Sequence, residues 1–185
     1  MKRIIILLIA ISFTFTISGC AKGYEPVPKT INGEFPFVLE YEMNGERYLI
    51  EDTVICSFEG HDLSDPFPFI DYKRTWSAEL KSGEEEKRLI IEFPENTESL
   101  LVEGRINTES RLLLCYGSGG YYLGDPNDIE REACIPAIKY VEEYKTSEKV
   151  SHVETTPLKD KELEKIFGIK IIRFEFCNPI KNSFE

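Results

Sequence analysis

The chain has 185 residues, with 33 Asp and Glu against 22 Lys and Arg and a formal net charge of −11 at pH 7. An acid excess of this size repels phosphate backbones, and no basic stripe reverses it locally, so a nucleic-acid-binding role is excluded. With 42% apolar residues the chain has the means to bury a core, its length suits one domain, and the simplest reading of the negative surface is solubility.

Lys2 and Arg3 precede an almost unbroken apolar run from Ile4 to Ile17, which has the flanks and length of a secretory h-region. A membrane-spanning helix needs about 20 apolar residues, and Ser18, Gly19 and Cys20 end the run before that length, so residues 1–19 are expected to be cleaved. Ile17-Ser18-Gly19-Cys20 resembles the lipobox of bacterial lipoproteins, an aliphatic residue and two small ones before a cysteine. The resemblance covers only this first stretch. It implies that Cys20 receives a diacylglyceryl group, becomes the mature N-terminus, and ties the protein to a bilayer through its acyl chains, at the cell surface or in the periplasm. Small side chains admit an extended segment to a peptidase cleft, and the thiol is the one good nucleophile there. Loss of the leader, which carries Lys2 and Arg3, leaves 166 residues and takes the net charge from −11 to −13. Residues 20–34 read as a lipidated tether, because Pro26, Pro28 and their mixed polar neighbours offer no periodic apolar face. A single β-rich domain is expected over 35–185.

Period-two alternation then dominates. Phe37, Leu39, Tyr41 and Met43 share one strand face, Asn44-Gly45 supplies the two positive-φ residues of a type I′ hairpin, and the chain returns through Tyr48 and Ile50 toward Val54, Cys56 and Phe58. After an Asp- and Pro-rich loop over 60–68, Ile70, Tyr72, Trp76, Ala78 and Leu80 form the apolar face of a strand that Lys81-Ser82-Gly83 turns. Arg74 shares that face and is expected to snorkel beside a core tryptophan. Leu89, Ile91 and Phe93 mark the next strand, Leu100, Val102 and Ile106 another, and Leu112, Leu114 and Tyr116 a further one.

The segment Tyr116-Gly117-Ser118-Gly119-Gly120-Tyr121-Tyr122-Leu123-Gly124-Asp125-Pro126 interrupts this pattern. Its glycines permit close approach, and Tyr116, Tyr121, Tyr122 and Asp125 are the candidate ligand contacts, a set suited to a neutral sugar or a peptide. The alternative is a structural turn whose tyrosines pack on a sheet. No lysine follows in P-loop spacing and no helix start is evident, so phosphate is not the ligand. Asp125, Asn127, Asp128 and Glu130 lack EF-hand spacing and read as a solvated acidic turn.

Residues 136–144 and 150–155 are expected as two more strands. Thr156 then reads as an N-cap with Pro157 at the first helical position, Leu163, Ile166 and Phe167 as an apolar stripe, and Gly168 as the stop. A final strand over 169–177 turns Ile172, Phe174 and Phe176 inward. The fold class is therefore mainly β, a β-rich α+β domain, either an antiparallel sandwich or a partly open barrel, with one short C-terminal helix before the last strand.

Four cysteines follow the anchor. In an exported chain they permit two disulfides, Cys115 with Cys134 and Cys56 with Cys177 being the pairing preferred here, and the alternative is four thiols. No C-x-x-C, H-E-x-x-H, S-x-x-K or G-x-S-x-G is present; His61 and His152 sit in polar segments, and no cofactor or metal is expected. The functional expectation is binding of an extracellular partner protein or a neutral glycan by a membrane-anchored domain. The alternatives are a wall- or glycan-directed hydrolase using carboxylates and a structural or assembly lipoprotein.

Overall fold

The computed structural model describes residues 23–64, 72–83, 87–145 and 151–185. The leader, Cys20 and Ile70 lie outside them. Ten strands, two one-turn helices, a 3₁₀ turn and one longer helix occur in the order β1 (Asn32–Met43), β2 (Glu46–His61), β3 (Arg74–Leu80), β4 (Lys87–Glu92), β5 (Thr97–Glu98), β6 (Ile106–Asn107), β7 (Glu109–Cys115), α1 (Gly119–Tyr122), α2 (Pro126–Ile129), the 3₁₀ turn Glu132–Cys134, β8 (Ala137–Lys145), β9 (Ser151–Pro157), α3 (Asp160–Phe167) and β10 (Lys170–Phe176). Two four-stranded antiparallel sheets, ordered β10-β1-β2-β3 and β4-β7-β8-β9, bury their facing sides in one shared core, and β5 and β6 form a small ribbon. The domain is a β-sandwich-like α+β fold and closes no barrel.

The alternation that marked the strands also builds the core. Phe35, Phe37, Leu39 and Tyr41 of β1, with Ile50, Val54 and Cys56 of β2, face Leu112, Leu114, Ile138 and Tyr140 of the second sheet. Asn44 (φ 55°) and Gly45 (φ 80°) make the β1–β2 turn with both residues in the left-handed region, as a type I′ hairpin requires. Leu163 and Ile169 bring α3 and the start of β10 against the same core.

Three expectations are corrected. Leu100, Val102 and Ile106 do not share a strand: Ile106 begins the short β6, and residues 99–105 are a loop in which Ser99 Oγ accepts the amides of Leu101 (3.1 Å) and Val102 (2.9 Å). A serine that satisfies its own neighbours' N–H groups competes with sheet pairing, and the apolar residues end up exposed. Ile172 faces solvent and Ile171 faces inward, because a bulge in the β1–β10 ladder pairs Glu40 with Arg173 but Tyr41 with Ile171 and flips the side-chain parity. The late helix starts three residues after Thr156-Pro157. Those two residues complete β9, opposite Tyr140 and Lys139, and the Glu162 carboxylate accepts the Lys159 amide (2.8 Å) at the true N-terminus. Gly168, at φ 66°, ends the helix as expected. Within residues 20–34, the described part is bonded to the rest of the domain: Glu25 N–H to Tyr72 O (3.1 Å), Val27 N–H to Glu185 O (2.8 Å) and Lys29 N–H to Ser183 O (2.8 Å).

All four cysteines of the domain are thiols, in no disulfide. Sheet geometry explains why neither preferred pair is joined. Cys56 opposes Gly33 on one side of β1, while Cys177 lies on the other side, its thiol donating to Pro36 O (3.3 Å). Two strand spacings and three residue steps separate them by about 14 Å, far beyond what a disulfide spans. Cys115 opposes Ala137, whereas the Cys134 carbonyl accepts the Ser118 amide (2.9 Å), about three residue steps, or 10 Å, further along.

Candidate functional site

The Gly/Tyr segment leaves β7 and doubles back over the end of the sandwich. Ser118 caps α1, accepting the Tyr121 amide (3.0 Å) and donating to Asp128 Oδ2 (2.9 Å). A helix start is thus present where none was expected. Gly119 and Gly120 are there for space: a Cβ on Gly119 would stand 2.2 Å from Ser77 O, and one on Gly120 2.2 Å from Asp128 Oδ2. These contacts let α1 lie directly on β3.

Three of the four candidate ligand contacts are spent on the fold. Tyr116 is buried. Tyr122 is buried too, stacked on Phe35 with centroids 4.8 Å apart, its hydroxyl donating to Tyr116 O (2.6 Å). Burial pushes the Tyr122 phenol well above its usual pKa. Tyr121 alone is half-buried, its ring edge-on to Tyr122.

Asp125, only 2% exposed, sits at the centre of a polar knot. It accepts Arg74 Nε (2.8 Å) and Nη2 (2.7 Å) in a two-point fork, the Trp76 indole N–H (2.8 Å) and the Asn127 amide (2.9 Å). Burial works to raise the Asp125 pKa, but the Arg74 fork, the Asn127 amide and the Trp76 indole outweigh it and hold the carboxyl below the usual range. The same fork raises Arg74. Arg74 therefore does not snorkel. Its guanidinium also donates to Pro26 O (3.2 Å), lies 4.6 Å above the Phe184 ring, and faces Glu25, which takes the Arg74 amide (3.0 Å) and Asn127 Nδ2 (3.0 Å). Glu25 and Pro26 from the start of the described chain, Phe184 from its end, β3 and the Gly/Tyr loop meet in this knot.

A second buried carboxylate was not singled out by sequence. Glu142 of β8 is 0% exposed and points into the sandwich, where it accepts Ser99 Oγ (2.6 Å), the Leu100 amide (2.7 Å) and Arg105 Nη2. Burial would raise its pKa; hydrogen bonds from Ser99, Arg105, Leu100 and Asn107 bring it down to about 2. Arg105 stacks 3.9 Å over the Tyr144 ring. Parity was the available signal, since Glu142 shares the inward face with Ile138 and Tyr140.

The open concavity lies beside β3. A groove of about 920 Å³ is lined by Trp76, Ala78, Leu113, Cys115, Lys139 and Val141, among others. Bonds from Asp62 N–H to Lys73 O (2.8 Å) and Lys81 N–H to Thr53 O (2.9 Å) fix the odd-numbered residues of β3 as those bonded to β2. Main-chain groups alternate along a strand, so those of Trp76 and Ala78 point off the opposite edge. Earlier on this edge the places are taken: Tyr72 N–H bonds Gly23 O (2.9 Å), Tyr72 O accepts from Glu25 N–H, and the Arg74 amide meets the Glu25 carboxylate. At Trp76 and Ala78 no described residue pairs with it, and further on Leu80 O accepts the Gly83 amide (2.8 Å).

No catalytic constellation assembles among the described residues. His61 Nε2 is 2.7 Å from Glu25 O, with the ring between Tyr24 and Phe58. His152 lies opposite Tyr144 on β9. Ser118 is occupied as a cap, and no group of three or more His, Cys, Asp or Glu suited to a metal occurs among the described residues. No family model matches the chain, and no curated protein or solved structure matches it.

Proposed function

We propose that the chain is an extracytoplasmic lipoprotein, held to a bilayer by acyl chains on Cys20, whose domain binds an extended segment of a partner protein as an added strand along β3. The observation that carries the binding reading is the unpaired edge at Trp76 and Ala78 facing the groove. An edge strand offers a row of main-chain donors and acceptors that only another extended backbone can match, with alternate side chains entering the adjoining pockets. The N-terminal segment already does this one step upstream at Tyr72, so an incoming strand continues an existing pairing. Leu113, Cys115 and Val141 supply an apolar floor and Lys139 a cation beside it.

Binding is favoured over carboxylate hydrolysis by the state of the two buried acids. A general acid needs its pKa raised toward neutrality, whereas Asp125 is lowered chiefly by Arg74 and Glu142 by Ser99 and then Arg105.

The test uses Ala78→Pro. Proline is tolerated on an edge strand where its missing N–H faces outward, so A78P keeps the fold while deleting one donor for the incoming strand. Displayed peptides enriched on the wild-type domain are expected to lose at least about tenfold in affinity for A78P, and to lose as much on wild type when the peptide is N-methylated at alternate residues. Equal binding by A78P and by the N-methylated peptides, or no enrichment on wild type, refutes strand addition.

A further inference from the structure

We infer that the pole where the chain enters the domain, presenting Tyr24 and Leu63 beside the His61 and Tyr72 rings, rests in the headgroup layer of the bilayer that holds the acyl chains. This rests on the anchoring reading above and adds an orientation to it. Chain length carries the argument. The first described residue, Gly23, is bonded to the domain through Tyr72, and it stands three residue steps from Cys20. Three trans peptide steps span at most about 11 Å whatever their conformation. The headgroup layer of one leaflet is itself about 5–8 Å thick, so a lipidated Cys20 leaves Gly23 no room to stand well clear of the surface.

The surface presented at that point suits an interface. Tyr24 is 61% exposed and Leu63 63% exposed. The Tyr24 ring is held by His61 (5.2 Å between centroids) and Tyr72 (5.0 Å), so it projects from a fixed base. A tyrosine with an apolar body and a polar tip is the side chain found where hydrocarbon meets water. Among the described residues of this pole, the exposed Asp62 and Lys73 oppose each other, and Glu25 turns its carboxylate inward to Arg74 and Asn127. The exposed apolar stretch Leu100 to Val102 hangs from Glu142, about 17 Å along β8 from the end of that strand nearest the Asp125 knot, and so points away from the anchor.

The experiment places a reporter at each pole of the full-length acylated protein, L63W and L101W, in phosphatidylcholine vesicles carrying a headgroup nitroxide, with the single native tryptophan, Trp76, as a common background. L63W is expected to lose about half of its added emission to the nitroxide and L101W none. If the wild-type chain floats with the vesicles and C20S does not, yet L63W is quenched no more than L101W, the anchor stands and the docking is overturned. If the wild type fails to float, or C20S floats equally well, the anchor fails and the orientation fails with it.

Discussion

The two buried arginine–carboxylate pairs sit in different parts of the sandwich, Arg74 of the first sheet with Asp125 and Glu142 of the second sheet with Arg105, and do different work. Asp125 joins segments distant in the chain: Arg74 is 51 residues away and Trp76 49, and Glu25 and Phe184 complete the knot around the same guanidinium. Glu142 secures one loop, 99–105, to the strand beneath it. The first pair is shut in from all sides, with the Arg74 side chain 6% exposed; the second has its arginine stacked on Tyr144 near the surface. Burying charge costs several kcal/mol per ion, and a pair repays this only when every remaining hydrogen-bonding position is filled. The Asp125 carboxylate takes four hydrogen bonds, from Arg74, Trp76 and Asn127, and the Glu142 carboxylate is bonded by Ser99, Leu100 and Arg105, but losing the first disconnects the architecture while losing the second loosens a loop.

Asp125→Ala is the sharpest way to break the comparison. It leaves Arg74 buried without its partner and strips the indole of its acceptor, at an expected cost of about 3–5 kcal/mol in urea-induced unfolding. A loss below that of Glu142→Gln would show that the Asp125 knot is not the more structural of the two.

Glu142→Gln tests the second pair through pH. The Glu142 carboxyl is lowered from 4.5 to about 2 in the folded state. Its contribution is therefore complete above pH 4.5 and lost as pH falls from there toward 2, a loss of about 3 kcal/mol from the size of the shift. Comparing urea midpoints of wild type and E142Q at neutral pH and across that acid window should show the gap between them closing as pH drops. A constant gap would mean that the charge on Glu142 is not what holds the loop.

Leu101→Ser marks the smallest effect. The residue is exposed on the loop that Glu142 holds, so unfolding free energy should stay within about 0.5 kcal/mol of wild type. A larger loss would place Leu101 in a contact that the isolated domain makes and would move this loop from the solvent face to the core.

Much of the sandwich is legible in the residues alone, for a local reason. The alternation at 37–43, the Asn44-Gly45 turn and the strand at 112–116 are specified by neighbours two apart or adjacent, and the structure keeps them. The Gly/Tyr segment was legible as unusual but not as structural, because its glycines answer to Ser77 and Asp128, which no local pattern connects to it. The same capping chemistry was read at Thr156-Pro157, where pairing with β8 won, and passed over at Asp125-Pro126, where Asp125 does cap α2.

By itself, then, the sequence determined the strand faces, the hairpin and the late helix ending at Gly168, all set by side-chain period and backbone preference within a few residues. Tertiary structure alone decided that Arg74 and Asp125 meet, that Glu142 turns inward under a loop, that the described part of residues 20–34 is bonded to the rest of the domain, and that β3 leaves part of its edge open. Each of these depends on which distant groups are brought within hydrogen-bonding reach once the two sheets close on each other, and the energy of a buried charge is fixed by those partners rather than by the residues beside it in the chain.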